Sequence, residues 1–490
     1  MSREYKTKEE VHNRAKEAVG VTLQEMSLNG YVKSTKSSFG DAFENWFGKQ
    51  PDSESKPDME EAGVELKATP FKKFKGNEYS AKERLVLNMI NYNDIINETF
   101  EDSHFLYKNG TLEIAFYEHD KTINKEDWFI KEVVLYQMSK NPIDFEIIKQ
   151  DWEKIHSFVM EGRAHELSEK YFQYLSPCTK GANGKTVRKQ PHSDIKAKSR
   201  AYSLKSSYMT SILRRYVLGD EKNDSIIKDR FELKDKTIED VVIERLNQYK
   251  NQTVSSLMKK FNIEIIAKNR NKILTSAMLN LNGKRDITKN LDEIDEFEKA
   301  SIVVKTVQYD ENKNLKESMS FPSFDFIELS KEEWEDENGT PSAQWHNFLL
   351  EARFLFVVFK KEGNDVVFKG AKFHSIPEDL IETTIKEVWL DTRDKLREGV
   401  KLKTNFQKNG KIKITNNFIG LKDKKICHVR PHATLSDYSI NGKYANKLPT
   451  PAQWENKPKT DNYSYEWMTK SCFWLNKSYI KEQTYDLLSN

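Results

Sequence analysis

Apolar positions recur at helical spacing from Thr7 to Met26, interrupted by Gly20 and resumed in VTLQEM. This predicts a short amphipathic helix, a turn and a second helical segment. Another helical face follows in SSFGDAFENWFG. Phe39, Phe43, Trp46 and Phe47 share one side there, and Ser37 or Ser38 can cap the start. The period then changes. In PDMEEAGVELK, Pro57 to Lys67, Val64 and Leu66 alternate with Glu65 and Lys67, the pattern of a strand with one face on a core. Later, YMTSILRRYVL at Tyr208–Leu218 returns to helical periodicity and closes the first half. Gly219, Asp220 and a charged stretch to Lys236 read as a linker.

After the linker the opening pattern repeats. TIEDVVIERLNQYKNQTVSSLM, from Thr237, is again a helical run followed by a second short segment. EAGVELKAT at Glu61–Thr69 has a counterpart in KASIVVKT at Lys299–Thr306, with Lys67 and Lys305 standing 238 apart. YSLKSSYM at Tyr202–Met209 matches FWLNKSYI at Phe473–Ile480 at a spacing of 271. Arg84 with its following LVL resembles Arg353 with FLFVV. The matches run in one order, and insertions in surface loops account for the growing spacing. The chain therefore divides into residues 1–220, a linker 221–236, and a second copy over 237–490. The copies differ chemically: Val303 replaces Glu65, and Glu296 stands at the place of Asp58. A valine cannot ligate a metal, so the second copy is expected to bind rather than cut.

Bulk composition narrows the class without naming the chemistry. With 490 residues, 37% hydrophobic and 32% charged, the chain reads as globular and long enough for two cores. A net charge of +3 means that any nucleic-acid affinity must come from local patches. Cys178, Cys427 and Cys472 are scattered and imply no disulfide framework. The opening MSREYKTKEE has no apolar signal core, and the longest apolar run, FLFVVF, is too short to span a bilayer. A cytoplasmic protein without a membrane partner is expected.

The chemistry gathers around the first strand. Asp58, six residues, Glu65, one residue and Lys67 place two carboxylates and an ammonium on one edge. Hard oxygen ligands suit Mg²⁺, which activates water and neutralises charge on a phosphate. The lysine would orient that water or stabilise the developing charge. The same letters also fit a solvated strand face. Glu44 lies fourteen residues before Asp58, off the centre of its apolar helix face. Lys72, Lys73, Lys75, Lys82 and Arg84 follow with charge suited to phosphate contacts. From Lys180 to Arg200, seven Lys or Arg face one Asp, the clearest basic patch in the chain.

These residues resemble the MutH mismatch-repair nickase and its two-domain, GATC-cutting type II restriction endonuclease relatives. Asp58, Glu65 and Lys67 match the family's triad at its spacing, and Glu44 falls at its additional active-site glutamate. The resemblance implies an α/β fold with two tandem restriction-endonuclease-like domains, each a mixed sheet flanked by helices. It implies Mg²⁺ held by Asp58, Glu65 and the Leu66 carbonyl. Lys180 matches a base-contacting lysine. RAYSLKSSYMTSIL, with Arg200, Ser203 and Lys205, resembles the recognition strand and helix. Ser203 stands where the nickase has a methylation-sensing tyrosine, and Cys178 where it has an arginine. In the second copy Arg430, His432 and Trp474 occupy the places of Cys178, Lys180 and Ser203. The implied activity is double-strand cutting 5′ of G in GATC, the second copy binding another site as effector. Partners are then double-stranded DNA, a second chain on the twofold site, and a methyltransferase acting on the same sequence without direct contact. A one-strand nickase and a non-catalytic tandem DNA-binding regulator are the competing readings.

Overall fold

The computed structural model describes residues 4–27, 38–49, 54–73, 79–120, 122–180, 186–219, 224–264, 270–279, 291, 294–337, 339–407, 412–460 and 462–489. Ser37, Lys75, residues 181–185 of the basic stretch and 221–223 of the predicted linker lie outside them. The chain forms two compact units. One comprises Met1–Arg245, Ser276–Val303 and Glu351–Arg353; the other comprises Leu246–Thr275, Val304–Leu350 and Phe354–Asn490. No described helix is long and apolar enough to cross a membrane.

The first unit opens with α1 (Lys8–Lys16), α2 (Leu23–Ser27) and α3 (Ser38–Trp46). Thr7 and Glu10 form a reciprocal capping box that fixes the start of α1. Strands β1 (Glu65–Lys73), β2 (Tyr79–Ala81) and β3 (Leu85–Met89) follow. Next come α4 (His104–Asn109), β4 (Thr111–Glu118), β5 (Ile130–Gln137) and α5 (Pro142–Met160). The main sheet has the order β2-β1-β4-β5, with β1 parallel to β4 and antiparallel to β2. The strand carrying Glu65 and Lys67 is thus internal. Val64 and Leu66 are buried in one cluster with Phe39, Phe43, Phe47 and the apolar sides of α1 and α2. Phe39, four residues before Phe43 on α3, stacks on Tyr117 of β4 with centroids 3.8 Å apart. Emptying the fully buried Phe43 to alanine would cost about 3–5 kcal/mol.

A second sheet, of order β3-β9-β6, combines β3 with β6 (Leu175–Thr179) and β9 (Arg200–Leu204). Between them stands the hairpin of β7 (Val187–Gln190) and β8 (Ser193–Lys198), which carries most of the basic stretch. Helix α6 (Ser206–Val217) forms where its periodicity predicted. The 224–236 segment is packed: Ile226, Ile227 and Leu233 are buried.

A second pair of sheets follows along the chain. β10 (Ile302–Tyr309), β12 (Arg353–Glu362) and β13 (Asp365–His374) give a sheet of order β10-β12-β13. β11 (Met319–Ser320), β16 (Cys427–Pro431) and β20 (Ser471–Leu475) give another, of order β11-β20-β16. In the first unit Ser176 pairs with Ser203 and Cys178 with Ala201; in the second His428 pairs with Trp474 and Arg430 with Cys472. The two registers coincide when Ser203 is matched to Trp474 and Cys178 to Arg430. The mixed α/β architecture is the expected one. One sequence anchor fails: the segment after Arg84 is β3, in the sheet with β9, whereas Arg353 begins β12, in the other kind of sheet. Arginine before an apolar run is too common a pattern to specify topology. The remaining strands, β14 (Lys401–Phe406), β15 (Ile412–Asn416), β17 (Ala445–Lys447), β18 (Gln453–Glu455) and β19 (Trp467–Thr469), form two small sheets.

Candidate active site

A tight turn presents Asp58 to the start of β1. Met59 bridges Val64 antiparallel, and Gly63, at φ +62°, takes the left-handed conformation that closes the turn. Asp58 thereby folds back beside Glu65. One oxygen of each carboxylate is pinned by the backbone: Leu66 N–H donates to Asp58 Oδ2 at 2.9 Å, and Asp58 N–H donates to Glu65 Oε2 at 3.2 Å. The other oxygen of each takes an ammonium. Lys49 Nζ lies 2.7 Å from Asp58 Oδ1 and Lys67 Nζ 2.6 Å from Glu65 Oε1. A third cation, Lys108 of α4, stands 3.8 Å from Glu65 Oε1 and donates to the Glu54 carbonyl.

Burial sets the electrostatics. The Glu65 side chain is only 4% exposed, and this desolvation raises its pKa despite the opposing charge of Lys67; Asp58 adds to the rise. Glu44, half-buried on α3, is pushed up to about 7 by burial and by the Asp58 charge, against the pull of Lys67 and Lys49. Asp58, Glu65, Lys67 and Glu44 are therefore one electrostatic cluster, as the sequence suggested.

Lys49 and Lys108 complete that cluster and were not picked out from the sequence. Lys49 comes with the end of α3: Gly48, at φ +79°, donates to Asn45 O, and Lys49 N–H donates to Glu44 O at 3.1 Å. This is the paired bonding of a Schellman stop, and it turns the chain so that Lys49 reaches Asp58. A glycine just past an apolar helix face was the available signal. Lys108 had none, because α4 lies more than forty positions away in sequence.

Among the described residues no three His, Cys, Asp or Glu side chains form a ready-made metal cage. The donor set nevertheless fits a hard divalent cation. Backbone N–H groups orient both carboxylates, and the oxygens they leave over hold ammonium groups, which supply the positive charge a bound cation would bring.

The expected DNA contacts fall into two sets. Lys82 and Lys180 are exposed, and Lys180 stands at the foot of the β7–β8 hairpin, its N–H donating to Ser199 O. Arg188, Lys189, Lys196 and Lys198 are exposed on that hairpin. The others lie inside the first unit. Arg84 is ion-paired with Glu169 and, at 3.4 Å, with Glu351. Arg200 donates to the carbonyls of Pro177 and Leu167. Ser203 is buried, its hydroxyl donating to Ser176 O at 3.1 Å. Lys205, fully buried, reaches the carbonyls of Ala300 and Glu351 at 3.4 and 3.3 Å. In the second unit the exposed Arg430 lies 4.0 Å over the buried Trp474 ring, and His432 meets that ring edge-on.

The chain is similar to one family model and to several known proteins. The family model described as DNA mismatch repair enzyme MutH matches residues 47–151. The type II restriction enzyme Sau3AI of Staphylococcus aureus is 58% identical over 487 residues, 99% of each chain. The DNA mismatch repair protein MutH of Shewanella woodyi is 28% identical over 219 residues, 43% of this chain and 92% of its own. Its counterpart in Vibrio cholerae is 23% identical over 221 residues, 43% of this chain and 96% of its own.

Proposed function

The chain belongs to the MutH-like type II restriction endonucleases, and on that premise we propose that it makes Mg²⁺-dependent double-strand cuts 5′ of G in GATC. The supporting observation is the paired pinning of Asp58 and Glu65, one oxygen on a backbone N–H and the other on an ammonium. Asp58, Glu65 and the Leu66 carbonyl would hold the ion. When bound, it supplies Lewis-acid activation of water and neutralises charge on the scissile phosphate. Lys67 orients the attacking water and donates to the developing oxyanion. Glu44 holds a water beside the carboxylates. Lys49, paired with Asp58 Oδ1 at 2.7 Å, would add positive charge beside the scissile phosphate.

Lys82, Lys180 and the β7–β8 hairpin give this reading its phosphate and groove contacts. Arg84, Arg200 and Lys205 support the recognition strand from within. Ser203 donates to Ser176 inside the sheet, so it offers nothing to an adenine methyl group. GATC should therefore be cut with or without N6-methyladenine, and a methyltransferase protecting the host would have to mark another atom. A double-strand cut at a twofold site needs two active sites, so two chains meet on DNA. This work belongs in the prokaryotic cytoplasm.

Digestion with Mg²⁺ of plasmid from adenine-methylating and non-methylating hosts, followed by sequencing of the ends, tests the proposal. Wild type should leave both strands cut before G of GATC in either plasmid, and Glu65→Ala should leave both intact. Single-strand nicks, ends elsewhere, or cutting by Glu65→Ala would reject it.

A further inference from the structure

Among the described residues, the second unit carries a strand pair that the first unit does not have between α5 and β6. In the first unit α5 ends at Met160 and β6 begins at Leu175; in the second the equivalent helix ends at Glu398 and β16 begins only at Cys427. The added length forms the antiparallel pair β14–β15, and β18 joins β14 as a parallel strand.

Alternation along β14 separates two faces. Leu402 and Thr404 are buried, whereas Lys401 and Lys403 are exposed, about 7 Å apart along the strand. Lys413 and Thr415 of β15 lie on the same outward side, across from Asn405 and Lys403. Glu455 is the acid on this face among the described residues, and Lys403 already holds it at 2.6 Å. Such an exposed pair stabilises little. An adjoining groove of about 500 Å³ is lined by Lys401, Lys403 and Lys422 together with Asn416, Asn417 and Trp454. Like charges gathered on one sheet face weaken the sheet unless something anionic neutralises them.

The inward face of the pair outruns the core. Two residues beyond Thr404, Phe406 is 73% exposed, and its cross-strand partner Ile412 is also exposed. The pair is thus a protruding two-stranded ribbon with lysines on one side and an aromatic ring at its far end. A two-stranded ribbon fits the major groove of B-DNA, where lysines at its base would meet the flanking phosphates.

We propose that β14–β15 and its groove are a duplex-DNA-binding element of the second unit, with Lys401, Lys403 and Lys413 on phosphates and Phe406 against base edges. This rests on, and sharpens, the reading that the second unit binds an effector duplex. The test uses the full chain in EDTA and measures equilibrium binding of short duplexes, with and without GATC, over a range of KCl. In the variant Lys401→Gln/Lys403→Gln/Lys413→Gln, the slope of log K against log salt should flatten by about 2–3, close to one per lost phosphate contact. Phe406→Ala should weaken binding roughly tenfold and leave the slope alone, because it removes an apolar contact to base edges and no charge. An unchanged slope in the triple variant overturns the ribbon's role. If wild type prefers GATC while that slope is unchanged, the ribbon is lost and the effector reading stands. If the slope flattens without any GATC preference, the ribbon stands and GATC recognition falls.

Discussion

Glu44 shows how the site trades stability for chemistry. Its carboxyl holds a proton up to about pH 7 in the folded protein, against 4.5 for an unburied glutamate. The folded state therefore binds that proton more tightly than the unfolded state. The stabilisation this gives is complete below pH 4.5 and is lost as pH rises through about 7. Glu44→Gln keeps the neutral shape at every pH. It should be near neutral in stability at pH 4.5 and stabilise by about 1–2 kcal/mol at pH 8, a value discounted for partial exposure. Thermal melts at the two pH values check this; equal effects at both would mean that Glu44 titrates normally. At this scale, what the sequence disclosed depended on chain separation. Asp58, Glu65 and Lys67 were legible because a turn and a two-residue strand period bring them together locally. Lys108 reaches Glu65 only through the placing of α4, which no local pattern encodes.

Elements were legible wherever one period ran without interruption. Phe39, Phe43 and Phe47 gave α3, and Val64 with Leu66 gave the buried side of β1. The stop of α3 matters equally, since it sets Lys49 against Asp58. Gly48 adopts φ +79°, and a Cβ added there meets nothing within 4 Å. The cost of a substitution is then backbone strain alone. Gly48→Ala should destabilise by about 1 kcal/mol, and Gly48→Asn by less, because asparagine tolerates the left-handed region. Urea unfolding of the two variants distinguishes this from a packing effect, in which the larger asparagine would be the worse. The β14–β15 ribbon escaped sequence reading for the opposite reason: its charged alternation resembles any solvated surface, and only the exposure of Phe406 beyond the buried Thr404 reveals a projection.

Over the whole molecule, the proposed duplication would have kept one function and lost another. The β6–β9 and β16–β20 pairings share one register when Ser203 is matched to Trp474. The acidic positions of the first copy are not both repeated in the second. Val303 stands where Glu65 would be, and Glu296, at the place of Asp58, accepts the N–H groups of Ile226 and Ile227 at 2.8 and 2.9 Å. A carboxylate so occupied cannot turn to a metal without exposing two buried donors, a penalty of about 1–3 kcal/mol each. Restoring one acid by Val303→Glu would therefore not create a second nuclease. On the proposed reading the second copy is left as a DNA reader, with Arg430 held over Trp474. A reader that shares a chain with a nuclease alters the cutting rate only if DNA in the reader favours the active form, a coupling of free energies between two sites. On the proposed reading, a plasmid with one GATC should be cut slowly, and a short GATC duplex added in trans should accelerate it about 5- to 150-fold, the usual range of such coupling. Arg430→Ala should abolish the acceleration. Equal rates on one-site and two-site plasmids, unmoved by added duplex, would leave the second unit without an effector role.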